Sequence, residues 1–279
     1  MIRTLAATHF LALALACAPA SAQFRPVEVA VDNQAGRLVP LLMVAPIGKA
    51  KAVIFFSHGA LSSPAKNRAI IDGWARQGFA VIAPLHADSS DWTGIKPARE
   101  QQTDWRIADM RLAKAQLAVL AAKAGMKLDR VPQVAAGHSF GGLIAMMDSD
   151  PATRAIVAFS PPGPVPGLII PIVAKPMLTI TGTADVLPMI APKWEAHLSG
   201  HIQASGEAYA CIGEGVNHYF GGVFGRPELT GPRQQAQFDT AMAQSVAFVQ
   251  GYAAASGNSG KPKAKAYLLK SGCRERATR

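Results

Sequence analysis

The chain has 279 residues, of which 49% are hydrophobic and 16% are charged, and its formal net charge is +10. This apolar content excludes an intrinsically disordered chain and allows a large buried core. From Lys261 onward there are seven basic side chains and one acidic one, so most of the net charge belongs to the C-terminal segment. The basicity therefore does not indicate a nucleic-acid-binding body.

The first 22 residues are typical of an export signal. Arg3 supplies a positive charge, Phe10–Ala18 is an apolar run, and Ala20–Ala22 offers small residues for cleavage. The apolar run is too short to span a bilayer, and we expect no transmembrane segment elsewhere. We therefore predict a signal peptide over residues 1–22, cleavage after Ala22, and a periplasmic or secreted protein.

Strands and helices alternate over residues 23–252, which we predict to form one domain. Apolar runs predict strands at 27–31, 38–44, 52–57, 79–85, 132–137, 155–159, 177–180 and 208–212, the first two joined as a hairpin. Apolar residues that recur at helical spacing, with turn residues at the ends, predict helices at 64–77, 104–123 and 234–252, and another that starts at Ser139. This alternation predicts an α/β fold, with a mostly parallel sheet covered by helices on both faces. The proline-rich segment 161–167 is too short for a large lid domain.

The strongest motif is Gly137-His138-Ser139-Phe140-Gly141, which has the form Gly-x-Ser-x-Gly. An apolar strand precedes it and a helical segment follows it. In that setting the serine stands on a sharp turn, and the two glycines let neighbouring backbone approach closely. We therefore predict that Ser139 is a catalytic nucleophile.

A serine hydroxyl needs a base, and the base needs an acid to orient it. Asp185 follows the strand at 177–180, and His218 lies in a glycine-flanked loop after the last strand of the domain. The order Ser, Asp, His fits this fold. We predict Asp185 as the acid and His218 as the base. His197 and His201 also follow Asp185, but we expect them to be solvated at a polar helix end.

Two backbone N–H groups are needed to stabilise the negative oxygen that forms during acyl transfer. We predict that they belong to Phe140, directly after the nucleophile, and to Ala60, after the strand at 52–57. Trp92 and Trp105 flank the segment after the strand at 79–85, where they could line a substrate pocket or simply pack under that segment. Asp88 in the same segment is expected to be solvated.

These motifs resemble the α/β-hydrolase superfamily over roughly residues 38–250. The stretches Ile54–Gly59, Gly78–Ala83 and Gly137–Gly142 are most similar to the platelet-activating-factor acetylhydrolases and dienelactone-hydrolase-like esterases. Bacterial polyester hydrolases and cutinases share much of the plan, and the position of Asp185 matches theirs. The resemblance implies a serine esterase with the α/β-hydrolase fold.

The leading functional hypothesis is hydrolysis of a small or medium carboxylic ester through an acyl-enzyme. A serine peptidase or amidase on the same residues is the first alternative, and a non-catalytic binding module of the same fold is the second. The sequence offers no His/Asp cluster for a metallohydrolase, so we expect no metal and no other cofactor. The expected partner is a small-molecule ester rather than nucleic acid, and the sequence indicates no oligomeric state.

The C-terminal residues 253–279 change abruptly in composition and are predicted to form a flexible basic extension. Such a tail could be attracted weakly to anionic surfaces at low salt. Cys211 and Cys273 remain after export, and an oxidising compartment permits a disulfide between them. A buried free Cys211 with an exposed Cys273 is the favoured alternative, because the sequence does not give their separation.

Overall fold

A computed structural model describes residues 24–32, 36–164, 167, 169–188, 190–226, 231–254 and 259–276. The predicted signal peptide, and Asn33 in the predicted hairpin turn, lie outside these residues. Nine strands form one sheet: β1 Phe24–Asp32, β2 Leu38–Pro46, β3 Val53–Ser57, β4 Ala80–Pro84, β5 Gln133–His138, β6 Thr153–Phe159, β7 Met177–Gly182, β8 Ala208–Gly213 and β9 Arg274–Glu275.

The sheet has the order β1-β2-β4-β3-β5-β6-β7-β8-β9. The six strands from β4 to β8 in this order are parallel, whereas β1, β2 and β9 pair antiparallel with their neighbours. Strands β3 and β4 at the centre are buried along their whole length because both faces of the sheet are covered. Their carboxyl ends meet at one edge of the sheet, where ligands bind in open α/β folds.

In the part of the chain that the structure describes, seven α-helices accompany the sheet: α1 Arg68–Arg76, α2 Gln102–Ala115, α3 Leu117–Lys123, α4 Phe140–Met146, α5 Ser199–Gln203, α6 Gln235–Val249 and α7 Lys261–Lys270. Successive residues of a strand point to opposite faces of the sheet and therefore pack in two different hydrophobic cores. Ile54 and Phe56 of β3 pack on the face that carries α1, α6 and α7. Val53 and Phe55 pack on the opposite face, with α2 and α3. The predicted α/β architecture is therefore confirmed.

One predicted helix is divided in the structure. The expected helix over 104–123 is α2 followed by α3, with Gln116 between them. Among the helices of the described ranges, none combines the length and the apolar character that a bilayer span requires.

The prediction of a flexible C-terminal extension is wrong for residues 259–276. Helix α7 buries Leu268 and Ala264 in the core that also contains α1 and α6. Strand β9 extends the sheet by pairing with β8, and Lys265 Nζ donates to Glu275 Oε1 at 2.7 Å. The segment therefore belongs to the domain, which continues beyond residue 252.

A disulfide bond helps to hold residues 259–276 against the sheet. Cys211 on β8 and Cys273 before β9 form a disulfide, contrary to the favoured alternative of two free thiols. The two cysteines are 62 positions apart, and closing a loop of that length stabilises a fold by about 4 kcal/mol. This contribution adds to the burial of Leu268 and Ala264 in opposing the entropy that is lost when the segment is ordered.

Candidate active site

Ser139 occupies a strained turn between β5 and α4. Its backbone has φ 53° and ψ −124°, a conformation that L-residues rarely adopt. The turn is held because the Ser139 N–H donates to Phe159 O at 2.8 Å. A Cβ on Gly137 would lie 2.1 Å from Gly141 O, and one on Gly141 would lie 1.9 Å from Ser57 O, so both positions require glycine. The predicted geometry of the Gly-x-Ser-x-Gly motif is thus present.

The serine opens on a cavity of about 690 Å³ at the carboxyl edge of the sheet. Ala60 and Phe140, the two predicted backbone donors, line this cavity together with Ser139. Within the described residues, neither of these N–H groups donates to another backbone carbonyl. Both donors therefore remain available to an oxygen bound beside Ser139.

Asp185 lies in the loop after β7 and is completely buried. Its Oδ2 accepts hydrogen bonds from the hydroxyls of Ser160 and Thr181, the latter at 3.0 Å. Its Oδ1 accepts from two imidazoles, His218 Nδ1 at 2.7 Å and His197 Nε2 at 2.9 Å. Burial alone raises the pKa of Asp185, but the hydrogen bonds from both histidines hold it well below its usual range. The carboxylate is ionised and fixed.

His218 presents its remaining nitrogen without a protein partner. Nδ1 is bound to Asp185, whereas Nε2 has no hydrogen-bond partner in the described part of the chain. The loop is anchored beside the nucleophile because His138 Nε2 donates to His218 O at 3.0 Å. Because Nε2 has no partner, it is not hydrogen-bonded to the Ser139 hydroxyl in this structure. Hydrogen bonds between a nucleophile and its base often form or shorten only when substrate binds.

His197 is buried, contrary to the expectation that it is solvated. It lies on a 3₁₀ turn at Trp194–Leu198 and is fully inaccessible to solvent. Its Nδ1 donates to Pro161 O at 2.7 Å, while Nε2 faces Asp185. Neither nitrogen of His197 is free to take a proton, in contrast to Nε2 of His218. His201 is also largely buried, at 7% exposure.

Asp185, His197 and His218 bring three ligand-type atoms within 4.8 Å of one another. The nitrogens lie 2.9 and 2.7 Å from the shared carboxylate oxygen. Two ligands of one tetrahedral zinc ion, each about 2.0–2.1 Å from the metal, stand about 3.3 Å apart. The observed separations are those of hydrogen bonds, so the arrangement as it stands holds protons rather than a metal ion.

Arg106 on α2 fixes the loop that carries Ala60. We call His58–Ala60 the oxyanion loop. The Arg106 guanidinium donates to both carbonyls that precede Ala60, binds both carboxylate oxygens of Asp88 at 2.9 and 2.8 Å, and lies 4.6 Å from the centre of the Phe140 ring. The peptide bonds of the described ranges are all trans, so the Ala60 N–H points away from the Gly59 carbonyl that Arg106 holds. Arg106 thus orients one predicted donor and packs on the residue that supplies the other.

A second Ser–His–Asp chain lies behind the oxyanion loop. Ser57 Oγ is 2.9 Å from His86 Nε2, and His86 Nδ1 is 2.9 Å from Asp109 Oδ2. Ser57 and His86 are completely buried, and Arg106 Nη1 donates to Ser57 Oγ at 3.3 Å. Burial holds the pKa of His86 well below its ordinary value, so the imidazole is neutral and accepts from Ser57. With no access to solvent, this chain supports the loop instead of attacking a substrate.

Two other expectations are corrected by the structure. Trp92 and Trp105 do not line the cavity at Ser139. Their rings flank the Arg37 guanidinium, at 5.6 and 4.7 Å, and this guanidinium in turn pairs with Asp109. Asp88 is buried against Arg106 instead of being solvated.

The residues that the sequence analysis missed are Ser160, His197 and Arg106. Ser160 directly follows β6 and has φ 46°, and the neighbouring strand β7 leads into the loop that carries Asp185, so its position just after a strand was a usable signal. His197 lies in an irregular loop and Arg106 on a helix rich in polar residues, so neither pattern indicated burial.

No family model matches the sequence, and no curated protein matches it. Solved structures with a similar fold include a puromycin-hydrolyzing peptidase of Mycobacterium tuberculosis (TM-score 0.57, 17% identity), a dienelactone hydrolase of Anabaena variabilis (0.56, 16%) and a Pyrobaculum calidifontis esterase (0.60, 18%). The similarity covers 84, 83 and 81% of this chain and 40, 99 and 84% of those chains, respectively.

This chain thus spans less than half the length of the peptidase but nearly all of the dienelactone hydrolase. The TM-scores indicate a common fold, and identities this low leave the activity open. Together with the sheet order and the turn at Ser139, the TM-scores show that the chain has the α/β-hydrolase fold.

Proposed function

We propose that the protein is a serine hydrolase that cleaves carboxylic esters through an acyl-enzyme on Ser139. The observation that supports this most strongly is the strained turn that presents Ser139 to the cavity. In the same fold, Asp185 binds Nδ1 of His218 and leaves Nε2 of the imidazole without a hydrogen-bond partner in the described residues. A nucleophile, a base and an orienting acid then stand on three loops at one edge of the sheet.

In the proposed mechanism, His218 Nε2 takes the proton of the Ser139 hydroxyl as Oγ attacks the ester carbonyl. Asp185 fixes the imidazole through Nδ1 and stabilises the charge that it gains. The N–H groups of Ala60 and Phe140 donate to the negative oxygen of the tetrahedral intermediate. His218 then returns the proton to the departing alcohol, and water releases the acyl group by the same steps in reverse order.

The walls of the cavity support a small or medium ester as substrate. The cavity lining includes the polar side chains of Gln102 and Thr103 and the apolar side chains of Pro162 and Ile190, so both polar and apolar groups face the cavity. The described residues contain no separate lid domain between the sheet edge and solvent. The acyl and alcohol groups therefore meet a broad, open site.

The disulfide supports the proposal that the protein acts in the periplasm or outside the cell. Disulfides such as Cys211–Cys273 persist in oxidising compartments and are rare in the cytosol. The signal peptide predicted over residues 1–22 remains a proposal of the same kind.

The test is a set of p-nitrophenyl esters of increasing acyl length, with matched p-nitroanilides, assayed on the exported form and on Ser139→Ala. We expect ester turnover that falls at long acyl lengths, weak or absent anilide turnover, and no turnover by the variant. Preferential cleavage of the anilides would favour the peptidase or amidase alternative. Turnover of neither, with an intact fold, would favour the binding module.

A further inference from the structure

The environment of His197 determines its protonation state. Pro161 O, which faces Nδ1, is a carbonyl and only accepts hydrogen bonds. Nε2 faces Asp185 Oδ1 at 2.9 Å and the Asp185 backbone carbonyl at 3.2 Å, which are also acceptors. A neutral imidazole has one donor nitrogen and one acceptor nitrogen, and only the imidazolium donates from both. The geometry therefore requires a proton on each nitrogen of His197.

The same proton could in principle reside on Asp185 and be donated to His197. The hydrogen bonds around Asp185 argue against this, since its two carboxylate oxygens already accept from Ser160, Thr181 and His218. Four donors converge on the carboxylate, which favours its ionised form. Although burial lowers the pKa of His197, the hydrogen bond to Asp185 and the charge of that carboxylate raise it overall.

We propose that His197 is a positioning residue that stays doubly protonated and whose charge balances and fixes the Asp185 carboxylate that orients His218. The inference rests on the proposed function of His218. The His197 and His218 rings are 5.7 Å apart between centroids and share one carboxylate oxygen. A permanent positive charge at His197 therefore balances Asp185 at the same oxygen to which His218 donates.

The other titratable groups around His197 do not supply the positive charge that balances Asp185. On its own turn, Lys193 and Glu195 are exposed to solvent. From β5, His138 approaches the His218 ring to 4.7 Å, but burial and the nearby His218 hold its pKa well below the ordinary value, so it is neutral. Among the described residues packed at this point, Asp185 and His197 form the charge pair beside His218.

Two measurements test the proposal. First, His197→Gln keeps an N–H donor for Asp185 but removes the charge. We expect the acidic limb of its kcat/KM profile to move upward by about one pH unit. His201→Gln is the matched control, because His201 is buried on the following helix and has no hydrogen bond to Asp185. Its profile should coincide with that of the unmodified protein. An acidic limb that stays in place or moves downward in His197→Gln would overturn the proposal.

Second, nitrogen NMR of the labelled full-length protein reads the protonation of His197 without relying on activity, and the His197 ring signals are assigned by through-bond correlation to its own backbone in the unmodified protein. We expect both His197 nitrogens to carry protons from about pH 5 to about pH 8. Loss of one proton within that range would overturn the proposal, and this result decides the matter even if His197→Gln does not fold. Turnover that persists in Ser139→Ala would contradict the proposed function, while the NMR result would still decide the charge of His197.

Discussion

Arg106→Lys keeps the positive charge of Arg106 but removes the geometry of its guanidinium. Arg106 donates to five acceptors: the Ser57 hydroxyl, two carbonyls of the oxyanion loop and both oxygens of Asp88. A lysine ammonium has three N–H groups, so at least two of these buried acceptors lose their donor. Each loss costs about 1–3 kcal/mol, and we expect the free energy of unfolding to fall by about 3 kcal/mol.

The catalytic effect follows from the peptide that carries the Ala60 N–H. Once its carbonyl at Gly59 is no longer held by Arg106, the N–H loses its fixed direction toward the cavity. Losing one such donor lowers kcat by about a hundredfold or more, with little change in KM, because the donor acts on the transition state.

The assay is steady-state hydrolysis of a short p-nitrophenyl ester at a temperature where the variant is fully folded, with urea unfolding to measure stability. Arg111→Lys is the matched control, since Arg111 lies on the same helix but is exposed to solvent. Its kcat and stability should match those of the unmodified protein. A kcat of Arg106→Lys within about threefold of that value, or a rise in KM alone, would refute the assigned role.

Three further predictions concern the turn, the base and the disulfide. Ser139→Ala and His218→Ala should each lower kcat by more than about a thousandfold without unfolding the protein, as ester kinetics and circular dichroism would show. Gly141→Ala should abolish turnover and lower the melting temperature, because its Cβ would lie 1.9 Å from a backbone oxygen of β3. Cys211→Ser with Cys273→Ser should lower the free energy of unfolding by about 4 kcal/mol in urea but leave kcat unchanged in the folded protein.

The sheet and the turn at Ser139 could be predicted because their signals are local. Fully buried strands give continuous apolar runs, and the Gly-x-Ser-x-Gly motif contains both glycines whose side chains would collide with backbone. Asp185 and His218 could be selected as the candidate acid and base from their order along the chain and from their positions after strands of a parallel sheet.

What the sequence did not reveal depends on tertiary contacts. Arg106 is buried because the carbonyls of a distant loop and Asp88 satisfy its N–H groups, which no helical pattern indicates. His197 is buried because Asp185 and a proline carbonyl accept from its two nitrogens. The C-terminal helix is anchored by a disulfide partner 62 positions away, whereas its own composition indicated a tail.

The central claim is that Ser139 is the nucleophile, and covalent labelling tests it most directly. The protein is treated with a fluorophosphonate, and the modified residue is located by peptide mass spectrometry. We expect one label per chain on the peptide that contains Ser139, much slower labelling in His218→Ala, and no label on the buried Ser57. Labelling of Ser139→Ala at the unmodified rate, or a label on another residue, would contradict the account.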